Sequence, residues 1–302
     1  MPGRVLSAGR AVRGPPLFLF VCTVPSKTQR EKRTLNDFTE QLIKEFRAND
    51  GQVGGPFEGS RLLLLTTTGA RSGRSHTAIL GYYPDTGRVL VVGSAGGAPK
   101  HPDWYHNLVA HPEVTVETGL FTYQATAVVL RDAEHDEVFA RLVEADSGWG
   151  DYQARTTRKI PVVALVSQPG PPGGGRGSLG ETLKLIHAVF RRELALIRKE
   201  VASSGTLGAQ LRINCLTMCQ GLHNHHAGES TALFPALAEQ HPELTDEIAA
   251  LQSDHDQLAV HLAELEKLVG APEPELLPEV DRIIALLNAH LDREEAALLP
   301  YL

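Results

Sequence analysis

The sequence predicts an α+β chain of two domains, a small β-barrel followed by an up-down four-helix bundle. Three observations carry this. The stretch Q-P-G-P-P-G-G-G-R-G-S-L-G over 168–180 holds no apolar run that could join a core, and its prolines and glycines oppose both helix and strand. Before it, short β-branched runs are broken by glycine; after it, long helical patterns contain almost none. The length of 302 residues suits about two domains. We read 34–167 as the first domain, 168–180 as a flexible linker and 181–302 as the second domain.

Residues 1–33 are expected to be a disordered extension. Arg4, Arg10 and Arg13 precede an apolar run over 17–24, a faint likeness to an export signal, but the run is short and no A-x-A cleavage site follows. Residues 35–48 place Leu35, Phe38, Leu42, Ile43 and Phe46 on one helical face. The run L-L-L-L-T-T-T over 62–68 reads as a buried strand, and G-A-R-S-G-R after it reads as a turn. Further strands are expected over 77–83, 88–93, 114–117, 121–130 and 160–166, with helices over 102–110 and 133–145. Six short strands with few helices suggest a barrel.

Beyond the linker, helical apolar spacing runs over 181–200, 207–238, 242–269 and 274–299, with short breaks between. Charge divides with the domains: net −10 over 181–302 against net +3 before it, giving −7 overall. The acidic half argues against a nucleic-acid partner. Cys22, Cys215 and Cys219 form no disulfide framework, and we expect buried thiols in a reducing, cytoplasmic setting. No apolar run reaches the length of a membrane span.

Two loops of the first domain could carry chemistry. Thr68, Gly69, Arg71, Ser72 and Arg74 gather guanidinium, hydroxyl and backbone N–H donors on a tight turn, which suits phosphate or carboxylate. The run S-A-G-G-A-P-K-H-P-D-W-Y-H-N over 94–107 joins glycines that admit a ligand, Lys100, and a helix start at Pro102. Each is also compatible with a plain turn, and Trp104, Tyr105 and Asn107 with core and capping roles.

Histidine marks the second domain, which holds eight of the chain's 13. His225 and Glu229 are four residues apart, as are His290 and Glu294, so each pair shares a helix face. His187 and His255 lie in the other two helices. Every helix thus offers an imidazole and two offer a carboxylate, an arrangement suited to one or two iron ions. His226, about 100° round the helix from His225, is expected to face elsewhere, as are His223 and His261.

T-T-G-A-R-S-G-R, then G-S-A-G-G-A-P-K-H-P-D-W-Y-H-N-L, then Y-Q-A-R-T-T-R-K-I-P-V-V-A-L closely resemble the deazaflavin-dependent nitroreductase family, in order and spacing, over about 34–166. The resemblance implies a split β-barrel related to flavin reductases, the coenzyme F420, and a quinone or nitroaromatic acceptor. It implies that Arg71, Ser72 and Arg74 hold the coenzyme's phosphate side, that Ser94, Ala95, Gly96, Gly97 and Lys100 line its chain and ring, and that Trp104 and Asn107 support that wall. Tyr152, with Trp149 nearby, matches a substrate-side position and would be the catalytic proton donor; a core tyrosine is the other reading. FMN is the alternative cofactor, since both want a phosphate site.

L-H-N-H-H-A-G-E-S-T-A-L-F-P, then D-H-D-Q-L, then A-H-L-D-R-E-E resemble the hemerythrin-like HHE cation-binding domain. The match implies His187, His225, Glu229, His255, His290 and Glu294 as ligands of non-haem iron, a di-iron pair bridged by the glutamates. Oxygen-carrying hemerythrins have a second histidine one turn on in the third helix, where this chain has Ala259. The expected whole is an oxidoreductase passing hydride from reduced F420 to a small acceptor, with an iron bundle that handles O2 or NO or exchanges electrons. A non-enzymatic iron sensor or store is the rival, and barrel-mediated homodimers are compatible with either.

Overall fold

The computed structural model describes residues 29–119, 121–168, 178–204, 208–270 and 276–302. Residues 1–28, with the apolar run over 17–24 and Cys22, and linker residues 169–177 lie outside the described residues.

Helix α1 spans Gln29–Ala48. It begins six residues before the expected start, so 29–33, assigned above to the extension, belong to the helix. Leu42 and Phe46 are buried and Ile43 packs beside them, but Phe38 stays 39% exposed. Burying Leu42 and Phe46 contributes roughly 1.5–3 kcal/mol each.

Six strands follow: β1 Leu62–Thr68, β2 Ser75–Asp85, β3 Arg88–Val92, β4 Glu113–Glu117, β5 Thr122–Val129 and β6 Val162–Ser167. They close a barrel in the order β1-β2-β3-β6-β5-β4, with every pair antiparallel. Strand period separates two buried faces. Leu63 and Leu65 join Leu80, Val91, Val116 and Val163 in one cluster, while Leu62 and Leu64 pack under Phe46 of α1. Both faces are covered, so the leucine run needs no polar alternation. Helix α2, Asp103–Ala110, sends Trp104 and Leu108 into the first cluster. Helices α3, Asp132–Ala145, and α4, Gly148–Ala154, cover β3 and β6 on another side. The sequence pattern gave no warning of α4, whose seven residues include two glycines.

The second domain opens earlier than expected. Ser178 Oγ accepts from Glu181 N at 3.2 Å, and Glu181 Oε2 accepts from Ser178 N at 2.7 Å. This reciprocal cap fixes the start of α5, Leu179–Ser204, so Leu179 and Gly180 are helical. Next come α6, Ala209–Gly228, a π-turn over Glu229–Leu233, and α7, Phe234–Gln240, where the sequence suggested one unbroken helix. Helices α8, Thr245–Gly270, and α9, Leu276–Leu298, complete the bundle. Neighbours are α5 with α6 and α9, and α8 with α6 and α9, so the four enclose one core.

Barrel and bundle meet through polar contacts. Buried Arg61, just before β1, bonds Glu193 at 2.9 Å and also pairs with Glu200, both of α5. Burial opposes its charge, but those two carboxylates outweigh it and hold the guanidinium protonated. Tyr82 donates to Glu193 Oε1 at 3.3 Å, and Gln210 of α6 donates to Pro84 O at 2.8 Å.

Candidate functional site

The turn between β1 and β2 closes on itself. Gly69 N donates to Arg74 O and Gly73 N to Gly69 O, each at 2.8 Å. A Cβ on Gly69 would sit 2.4 Å from Ser72 Oγ and 2.9 Å from His76 Nε2, so a side chain there would push both side chains out of place. Helix α2 grips it: Asn107 Oδ1 accepts from Ala70 N at 3.0 Å, and Asn107 Nδ2 donates to Thr67 Oγ1 at 3.1 Å. In the loop before α2, Ala95 is held in a strained left-handed conformation at φ 47°, and Gly96 and Gly97 follow at 63° and 81°, which glycine adopts freely. Arg158 braces it, donating to Ala98 O at 2.8 Å and Gly93 O at 3.1 Å. Its Nη1 also donates to His101 Nδ1 at 3.1 Å, which leaves the ring proton of neutral His101 on Nε2. Burial, then the Arg158 charge, pushes the His101 imidazole below its ordinary range.

Between turn, loop and α1 opens a cleft of about 1210 Å³. Arg71, Ser72 and Lys100 stand exposed in its walls, Trp104 and Asn107 form a buried part, and Ile43 and Ile79 add an apolar side. Pockets of roughly 300–1,000 Å³ hold drug-sized ligands, so this one admits a large anionic cofactor with a second small molecule. Its cations suit phosphate, and its apolar wall suits a flat ring.

In the bundle, two groups of side chains have ligating atoms within 4.8 Å of one another: His187, His225, Glu229 and Glu294, and His226, His255 and His290. Their polar atoms are orphaned. His187 Nε2, His225 Nε2, His226 Nε2 and all four carboxylate oxygens of Glu229 and Glu294 are buried without a hydrogen-bond partner. Such a concentration is costly unless a cation satisfies it. His255 Nε2 and His290 Nε2 are 3.0 Å apart, and two nitrogens bound to one ion at about 2.0–2.1 Å can stand that close. Outer partners aim the rings: His187 Nδ1 is 2.9 Å from Glu295 Oε1, itself held by Arg191, and His255 Nδ1 is 2.9 Å from Ser230 Oγ. Burial pushes His225 and His255 down to about 4 and His226 down to about 2, so their lone pairs are free at neutral pH. Burial, then the Glu294 charge, pushes the Glu229 carboxyl up to about 9. The residues fit a metal of the kind held by imidazole and carboxylate.

Residues 39–167 match the family model described as F420H(2)-dependent quinone reductase, and 178–302 match the hemerythrin HHE cation binding domain. An F420H(2)-dependent quinone reductase of Mycobacterium tuberculosis is 38% identical over 126 residues, 40% of this chain and 83% of that protein. The chain belongs to the F420H(2)-dependent quinone reductase family. A solved structure titled as an F420-H2 dependent reductase is 38% identical, covering 35% of this chain and 93% of that one, at a TM-score of 0.32.

Within this reductase domain, the cleft gathers Arg71, Ser72, Lys100, Trp104 and Asn107 of the residues expected at a cofactor site. Arg74, Ser94, Ala95, Gly96 and Gly97 do not line it. Arg74 is exposed beyond the turn, and Ser94, Ala95 and Gly97 are buried behind the loop, where a Cβ on Gly97 would meet Tyr152 O and Arg155. Tyr152 is not at the cleft either. It is 2% exposed and packs in the α3–α4 cluster against Trp149, because α4 turns its ring inward. His76, His101 and Arg158 are cleft residues that the sequence reading passed over; Arg158 stood in the quoted R-T-T-R-K run. In the hemerythrin domain, the six expected ligands all fall in the two groups. His226 is the correction. It is buried, its ring stacked on His255 at 4.4 Å, because a bundle interior spans more than the 100° between neighbouring residues. Among the described residues no helix is long and apolar enough to cross a membrane.

Proposed function

We propose that this chain uses reduced coenzyme F420 to reduce a quinone-type acceptor in the barrel cleft, and binds non-haem iron in the bundle. The observation supporting the first part is the joining of turn and loop by Asn107 into one cationic cleft, on a chain 38% identical to a named F420H(2)-dependent quinone reductase. Family membership favours F420 over FMN and a quinone over a nitroaromatic. When bound, the deazaflavin supplies a hydride. Arg71, Ser72 and Lys100 would hold its phosphate side, and Trp104 the wall beside it. Ile43, Ile79 and Leu80 would exclude water from the acceptor's apolar face. With Tyr152 buried, the residue best placed to donate a hydrogen bond to the acceptor's oxygen is His101, whose Nε2 carries a hydrogen when neutral.

For the bundle, the orphaned carboxylate and imidazole atoms support iron, and the apolar rings of Phe190 and Phe234 against His225 and His255 suit a small ligand such as O2 or NO. The test is a fluorescence titration of purified protein with oxidised F420 and separately with FMN, followed by turnover of reduced F420 with a quinone. Tight F420 binding and quinone-dependent oxidation are expected. Binding of FMN alone, or of neither, sinks the reductase reading.

A further inference from the structure

The two groups of side chains in the bundle are not two separate sites. Glu229 reaches both: its Oε1 is 3.3 Å from His225 Nε2, and its Oε2 is 3.8 Å from His255 Nε2. Glu294 reaches both as well, with Oε2 3.4 Å from His187 Nε2 and 3.7 Å from His290 Nε2. One group brings two imidazoles, the other three. The position one turn beyond His255 on α8 is Ala259, which is exposed, so α8 supplies a single imidazole. Helix α6 supplies two, from adjacent residues. His225 leans on His187 at 5.2 Å between ring centroids, whereas His226 lies against His255 at 4.4 Å and His290 at 5.2 Å. The neighbouring rings, 5.4 Å apart between centroids, thus belong to different groups. His226 Nε2 is buried and has no protein partner.

We propose that His226 is a metal ligand, the third imidazole of a second ion position made with His255 and His290, so that the bundle holds a pair of transition-metal ions spanned by Glu229 and Glu294. This rests on the reading that the bundle binds iron, and goes beyond it by adding His226 to the ligand set. The pair is asymmetric: one ion has two histidines, His187 and His225, and the other three.

The full chain, loaded anaerobically with ferrous iron and desalted, tests this by metal analysis and, after oxidation, by electron paramagnetic resonance. The expected result is two irons in the unaltered chain, silent as a coupled diferric pair. His226→Ala and His226→Gln should each retain one iron and show the signal of an isolated ferric ion. No iron in the unaltered chain sinks the iron reading itself. Two irons in both variants, or one iron in the unaltered chain, overturns the assignment of His226 while leaving iron binding in place. Should neither variant keep the native helical circular dichroism, anomalous diffraction at the iron edge from crystals of the unaltered loaded protein decides. Two peaks, one in contact with His226, are expected; a single peak, or a His226 ring turned away, overturns it.

Discussion

At the scale of single residues, Asn107 decides whether the cleft exists. It holds a backbone N–H of the turn and a hydroxyl of β1 from a helix that follows them by about 40 residues. Asn107→Leu removes both bonds, each contributing about 0.5–1.5 kcal/mol. We expect F420 to bind at least about tenfold more weakly, since tenfold is about 1.4 kcal/mol; a fluorescence titration measures this. Arg71→Ala and Lys100→Ala should weaken F420 binding while leaving the melting temperature within about a degree, because both side chains are exposed. Cys215 and Cys219 are buried, and burial pushes both thiols up to about 12. Neither should react with iodoacetamide at pH 8 until the bundle unfolds, which mass spectrometry of the treated native protein would show. What the sequence disclosed at this scale followed separation along the chain. The H-x-x-x-E pairs were legible because one turn of helix places them. His226 was not, because a single helix reports an angle and not how wide an arc its neighbours enclose. Tyr152 was misplaced for the same reason: a motif carries a residue's identity, but its burial depends on where α3 and α4 pack.

At the scale of elements, the barrel strands were read within a few residues, since glycine turns and β-branched runs mark them locally. Errors lie where tertiary contacts extend an element, as in β2, which runs to Asp85 through Pro84, or where an element is short, as in α4. The start of α5 was hidden by its glycine-rich approach, although S-L-G-E carries the cap. Ser178→Ala should lower bundle stability by about 1 kcal/mol, read as a small fall in the urea midpoint. The π-turn over Glu229–Leu233 begins at an expected ligand. Such turns frequently mark functional sites, and no periodicity announces them.

At the scale of the whole molecule, the domains are joined by more than the linker. Arg61 lies between Glu193 and Glu200, carboxylates that also meet Tyr82 and Asn214. Arg61→Met leaves those carboxylates without their cation. They keep partial solvent access, so we expect a loss of about 2 kcal/mol rather than the 3–5 kcal/mol of a fully buried pair. Calorimetry should then resolve two transitions where the unaltered chain melts more cooperatively. Removing iron with a chelator should lower the bundle's transition, because a ligand of the native state alone stabilises it; an unchanged melting curve would count against iron in the core. None of this interface was legible beforehand. Arg61, Glu193 and Glu200 look in sequence like ordinary solvated charges, and only the packing of α5 against β1 and β2 brings them together.

The polar character of that junction bears on how the chain is born. The last barrel strand is complete at Ser167, more than 130 residues before the C-terminus, so on the ribosome the barrel can close while the bundle is still being made. During that interval its docking face offers water a guanidinium, a phenol and the carbonyl of Pro84, groups that hydrate readily. The arrival of α5 and α6 then exchanges bound water for carboxylates and an amide.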